Sequence, residues 1–325
     1  MCVRDAAFAM GASYPYLTCF GPVSHGVPTF NARLHARLPS SWHWQGEPNA
    51  WVRMTRPGQS LHSFLEGLTF APDGTAFVAD VPYGRVFRID ARDGQWTCVL
   101  DDGSEPHGLW YVSDSRLLMV DYARGLRTLD PTTQRVEVLC ESAAGVPFHG
   151  LSDLAVDGDG DVWFTDPGRS SLSDSYGRVF RYSRAGILSQ VLDRLPYPNG
   201  VAITDDGAQV FVAVTRANAV WKFARTGAGA GTPMLGHYLQ LGGGLGPDGL
   251  AIGAHGCLAV AHAQAGCAWL YNALGLPLAR ITVPEGHWTT SVRFSPRARD
   301  HLYIVEAQTG SIYEFDCSGI LGDDT

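Results

Sequence analysis

The chain has 325 residues, of which 45% are apolar and 17% charged, and a formal net charge of −8. That composition supplies ample core and excludes a disordered chain. The acidity, with no Lys/Arg cluster to meet phosphates, excludes nucleic acid and anionic membrane as expected partners.

The opening MCVRDAAFAMGASYPYLTCF breaks its apolar residues with Arg4, Asp5, Gly and Ser, so no signal peptide is read there. No run approaches the roughly 18 apolar residues of a membrane helix. The expectation is a soluble, cytoplasmic chain, monomer or homodimer. Seven cysteines form no CxxC pair and read as free thiols rather than a thiolate metal site.

A single β-propeller domain is expected over 1–325. Residues 1–60 form an N-terminal extension, and 61–318 carry the blades. Residues 1–40, rich in Pro and Gly, are expected to wrap the outside or cover one face. WVRMTRP reads as strand, and the N-terminal stretch is expected to complete the last blade, because closing a ring removes an exposed edge.

From residue 66 onward one phrase recurs six times: a variable residue, then Gly or another small or acidic residue, an apolar residue, a turn and an apolar strand. Its copies begin at Glu66, His107, Ser152, Asn199, Asp248 and Thr290, spaced 41, 45, 47, 49 and 42 residues apart. Within the first copy, LEGLTFA, TAFVADV, RVFRIDA and QWTCVLD are separated by the turns Pro72-Asp73-Gly74, Pro82-Tyr83-Gly84 and Arg92-Asp93-Gly94. Four alternating strands per unit of about 40 residues predict an all-β, six-bladed β-propeller of four-stranded antiparallel blades. TGAGAGTP (226–233) reads as a surface loop, without the Lys-Ser/Thr of a phosphate loop.

The first strand of a blade lines the central channel, so the six variable residues are expected to converge at one mouth. Two carboxylates and an amide oxygen meeting there need a positive charge among them. Hard oxygen donors of this kind suit Ca2+, Mg2+ or Mn2+. A second ring at the end of the next strand, Asp80, Asp121, Asp166, Thr215, His262 and Glu306, reads as structural, tying blade to blade. His107 and His149 flank rim positions and are candidates for proton transfer near neutral pH, with a plain hydrogen-bonded role as the alternative. His262 reads first as a wall residue.

The phrases LEGLTFAPDGTAFVADVPYGRVFRID, LSDLAVDGDGDVWFTDP, LPYPNGVAITDDGAQVFVAV and GPDGLAI resemble the senescence marker protein/gluconolactonase family, six-bladed propellers that include regucalcin and the bacterial sugar lactonases. The resemblance runs from about residue 60 to 318. It implies that Glu66, Asn199 and Asp248 bind one divalent cation, Ca2+ first, with Zn2+, Mg2+, Mn2+ or Fe2+ as alternatives. It further implies that Asp248 acts as general base. The chain departs from the sugar-lactonase pattern in three places. Ser152 stands for an Asn, Gly150 for an Arg and His107 for an Asn. Donors suited to a polyhydroxylated ring are thereby lost, while Phe148, Trp110 and Trp288 are nearby.

The expected activity is metal-assisted opening of a lactone or related ester less polar than gluconolactone. Asp248, His107 and His149 are the catalytic candidates, and Ser152, His262, Thr290 and Trp288 are expected to contact substrate. No Gly-x-Ser-x-Gly elbow supports an acyl-serine route. Competing expectations are a strictosidine synthase-like propeller without catalytic metal, a non-enzymatic calcium-binding propeller, and a histidine-ligated iron or zinc site at His107, His149 and His262.

Overall fold

The computed structural model describes residues 26–225 and 233–321. The expectations for residues 1–25 and 226–232 lie outside that range. Six antiparallel sheets of four strands, one of them widened by a fifth, stand in a ring and form a six-bladed β-propeller. The inner strands are Leu65–Phe70, Pro106–Ser113, Leu154–Val156, Pro198–Ile203, Gly246–Ile252 and Thr289–Phe294.

The alternation along each strand decides the packing, since successive side chains face opposite neighbours. Phe77, Ala79 and Val86 of the first blade pack on Leu109, Leu117 and Met119 of the second. At the seam of the ring, Val305 and Ile312 of the sixth blade meet Leu65, Val78 and Phe87 of the first. The core is therefore a series of interblade layers rather than one centre. The five cysteines among the described residues are free, three of them buried.

The N-terminal stretch closes the ring as expected, at Arg33–Arg37. Arg33–Arg37 pairs antiparallel with Ser311–Asp316, with Arg33 opposite Glu314 and Arg37 opposite Ser311, and supplies the outer strand of blade six. Thr29–Asn31 adds a parallel fifth strand to blade five. WVRMTRP is not strand. Ala50–Thr55 is a short helix, α1, capped by the Asn49 side chain, which accepts a hydrogen bond from the Val52 amide at 3.0 Å. Its Trp51 and Val52 are buried with Leu61, Phe64, Val81 and Ala307, so tertiary packing outweighs the local strand pattern. No helix among the described residues is long and apolar enough to cross a membrane.

The glycine that follows four of the six rim residues has a steric cause. A Cβ at Gly67 would lie 1.9 Å from the His107 carbonyl oxygen, and one at Gly200 would lie 2.2 Å from that of Asp248. Adjacent inner strands approach there as backbone on backbone, which only glycine allows.

Candidate active site

The six rim residues gather at one mouth of the channel, and all but Glu66 are buried. Hydrogen bonds divide them into two groups. On blades one and two, His107 Nδ1 donates to Glu66 Oε2 at 2.8 Å. The carboxylate can only accept, so the proton sits on Nδ1. His107 Nε2 is buried and has no partner among the described residues. Burial works against the charged ring, yet Glu66, Glu105 and Asp121 together raise its pKa. On blades three to five, Ser152 Oγ donates to Asn199 Oδ1 at 2.7 Å, and the Asn199 side chain hydrogen-bonds Asp248. Thr290 turns away, its hydroxyl donating to the Leu65 carbonyl at 2.8 Å across the ring seam.

Asp248 is the most perturbed of these groups. Burial pushes its pKa well up, and the charges of Glu66 and Asp153 push further, against the opposing pull of Arg56 and Asn199. Asp153 occupies the slot that is glycine after four other rim residues, and burial raises it to about 6 despite Arg293. Its oxygens accept from the Leu154 and Val201 amides at 2.8 and 3.2 Å. Arg293 closes the floor beneath, donating to the carbonyls of Leu68 and Leu109 and lying 4.6 Å over the Trp110 ring. A cavity of about 470 Å3 lies beyond that floor, at the far ends of the inner strands. Its lining holds none of the rim residues.

The second ring does something other than expected. Asp80 accepts from the Phe64 amide at 2.8 Å, Asp121 from Glu105 at 3.2 Å, Asp166 from Gly150 at 2.9 Å and Glu306 from Trp288 at 2.9 Å. Each carboxylate thus holds the backbone two residues before its own blade's rim residue. Arg85, Arg127 and Arg178 pair with Asp80, Asp121 and Asp166 from the third strand of the same blade. Blade-to-blade ties fall instead to hydroxyls: Thr165 to the Asn199 carbonyl at 2.6 Å, Thr215 to that of Pro247 at 2.7 Å, Thr289 to that of His262 at 2.7 Å. Of the ring, only Thr215 acts as expected in this respect.

The other candidates fall outside the two groups. His262 is buried with both ring nitrogens engaged, Nε2 with the Gly243 carbonyl at 3.0 Å and Nδ1 accepting from Trp269 at 3.1 Å, which favours the wall role. His149 is exposed, edge-on to Tyr176, with Nδ1 3.9 Å from Asp166. The three histidines do not converge. Among the described residues no three His, Cys, Asp or Glu side chains form a metal-ligand cluster.

Four residues of the mouth escape the rim-residue pattern: Arg56, Tyr122, Asp153 and Tyr197. The Tyr122 ring explains Gly150, since a Cβ there would lie 2.4 Å from it. A side chain at 150 would have to displace that ring, whose aromatic face takes the space. Tyr197 is half-buried with φ +64°, its pKa pushed up by the burial it has and by Glu66 and Asp248. A non-glycine residue in that region is uncommon and marks a constrained site. Tyr197 shares its phase with Phe64, Glu105, Gly150 and Trp288, two residues before the rim. Reading that phase of the repeat finds the wall of the mouth.

Six blades around a channel with an acidic, hydrogen-bonded mouth define the class of molecule. Residues 64–308 match the SMP-30/Gluconolactonase/LRE-like region, and the chain belongs to that family. A pentonolactonase of Haloferax volcanii is 27% identical over 247 residues, 74% of this chain and 81% of the relative. A diisopropyl-fluorophosphatase of Loligo vulgaris is 24% identical over 72% of this chain and 81% of its own. A solved gluconolactonase of Xanthomonas campestris superposes with a TM-score of 0.70 at 21% identity, covering 92% of this chain and 99% of its own. A calcium-binding regucalcin of Agrobacterium tumefaciens gives 0.69 at 21% identity, over 79% and 91%.

Proposed function

We propose that this protein hydrolyses a lactone at the mouth formed by Glu66, Asn199 and Asp248, with a divalent cation, Ca2+ first, as cofactor. The observation that carries the reading is Asp248, a buried carboxylate beside the charge of Glu66 and joined to the Asn199 amide. Its pKa is raised first by burial and then by the charges of Glu66 and Asp153, both of which a bound cation would offset. Two carboxylates and an amide oxygen fit a hard divalent cation in charge and donor chemistry. Held there, it would polarise the ester carbonyl and stabilise the developing oxyanion. The relatives named lactonases support the same reaction.

The chain's own residues supply the rest. Asp248 takes a proton from the water that attacks the carbonyl carbon; the ring C–O bond then breaks, and the departing oxygen is protonated to give a hydroxy acid. His107 fixes Glu66 through Nδ1, and Ser152 fixes Asn199. Tyr122, Tyr197 and Trp288 replace hydroxyl-binding donors with aromatic faces, which supports a lactone less polar around its ring than gluconolactone.

Elemental analysis of the purified chain, followed by a lactone panel with and without EDTA, tests the reading. Chelation is expected to abolish hydrolysis; full turnover by metal-free protein removes the cation. Asp248→Asn is expected to lower kcat about 100-fold or more, and wild-type turnover in that variant removes Asp248 as base.

A further inference from the structure

Arg56 follows α1 and is held there, its amide donating to the Val52 carbonyl at 2.8 Å. The guanidinium lies 3.4 Å over the Trp288 ring and 4.8 Å from the Phe64 ring, at the mouth between blades six and one. Its one recorded hydrogen bond runs from Nη1 to the carbonyl of its own neighbour Thr55 at 3.1 Å. Nε is buried with no partner, and no carboxylate lies within ion-pair distance among the described residues. Glu66 and Asp248 act on it only at longer range, and burial lowers its pKa to about 10, so it stays charged.

An arginine so placed is unusual. Leaving a charged donor desolvated and unpaired is costly, and a planar fork stacked on an indole is ordered in advance of any ligand. The fork matches a pair of anionic oxygens. Glu66 is already engaged by His107 and Asp248 by Asn199, and Nε is buried, so the donors left for an acceptor from outside the fold are those of the guanidinium's Nη end.

We infer that Arg56 determines substrate specificity by binding a carboxylate carried by the lactone, so that the preferred substrate is an anionic lactone with few hydroxyl groups. This rests on the lactone-hydrolysis reading and adds one charged anchor to an otherwise aromatic wall. Arg56 touches the substrate away from the bond that breaks, so its loss falls on KM more than on kcat.

The test compares γ-butyrolactone with the same ring bearing one carboxylate on the carbon beside the ring oxygen. The wild-type chain is expected to favour the carboxylated ring in kcat/KM by about tenfold or more. Arg56→Gln is expected to cost about 10- to 100-fold on that ring, through KM, and to bring the two substrates close to parity, with Arg56→Lys recovering part of the preference. A preference that survives Arg56→Gln, or equal losses on both rings, overturns the inference. If the wild-type chain opens neither ring, the hydrolysis reading fails, and Arg56 is then judged by thermal shift with the carboxylated ring as ligand. Stabilisation of wild type but not of Arg56→Gln upholds its role; no stabilisation, or an equal one, overturns it.

Discussion

The three carboxylates of the mouth differ in what surrounds each one. Glu66 has His107, Asp248 has the Asn199 amide, and Asp153 has two backbone amides and the nearby charge of Arg293. Asp153 offers a test that does not depend on turnover. Its pKa rises from 3.8 to about 6 on folding, so the folded state binds its proton more tightly than the unfolded state. The stabilisation is complete below about pH 4 and is lost as pH rises through about 6. Two units correspond to about 3 kcal/mol. Denaturant melts between pH 4 and 7 are expected to show wild-type stability falling more than that of Asp153→Asn, by up to that amount. Parallel curves for the two proteins contradict the assignment. Glu66, Asn199 and Asp248 were legible as candidates because the repeat puts them at one phase. Asp153 and Arg56 were not, since a charge in a glycine slot and a charge outside the repeat have no sequence period to betray them.

At the scale of strands, the rim is built by pairing rules that the repeat encodes only in part. The carboxylate ending the second strand reaches back to the amide two residues before the rim residue, and this sets where the rim side chain emerges. The glycine after the rim residue lets the neighbouring strand approach. At Gly200 the Asp248 carbonyl oxygen lies 2.2 Å from where a Cβ would stand. Gly200→Ala is expected to push blades four and five apart, to destabilise by about 2–3 kcal/mol and to weaken the Asn199–Asp248 contact. Guanidinium unfolding would record the first effect, and an unchanged midpoint would show that the seam has slack. α1 is the element misjudged from sequence. WVRMTRP alternates well enough for a strand, but Asn49 caps it and Trp51 and Val52 find a buried site that only the assembled blades create.

At the scale of the molecule, closure joins the two ends of the described chain. Arg33–Arg37 completes blade six, so residues about 280 apart in sequence share one sheet. Removing residues 1–39 is expected to leave Ser311–Asp316 as an open edge, lowering the melting temperature and promoting concentration-dependent association. Light scattering beside thermal melts would detect both, and a monomeric deletion variant of undiminished stability would contradict the closure argument. The chain that follows the closing strand carries α1 and Arg56 over the mouth, so ring closure and substrate selection are expected to be coupled.

The blade count, the phase of the rim and the triad Glu66, Asn199 and Asp248 could be read from sequence, because strand alternation and a repeat of 41 to 49 residues are local or periodic signals. What those residues face was decided only by the closed ring. Tyr122 takes the space above Gly150, Arg293 closes the floor, and Arg56 arrives from outside the repeat to stack on Trp288. Such contacts arise between segments distant in sequence, and burial fixes them only once the blades have assembled.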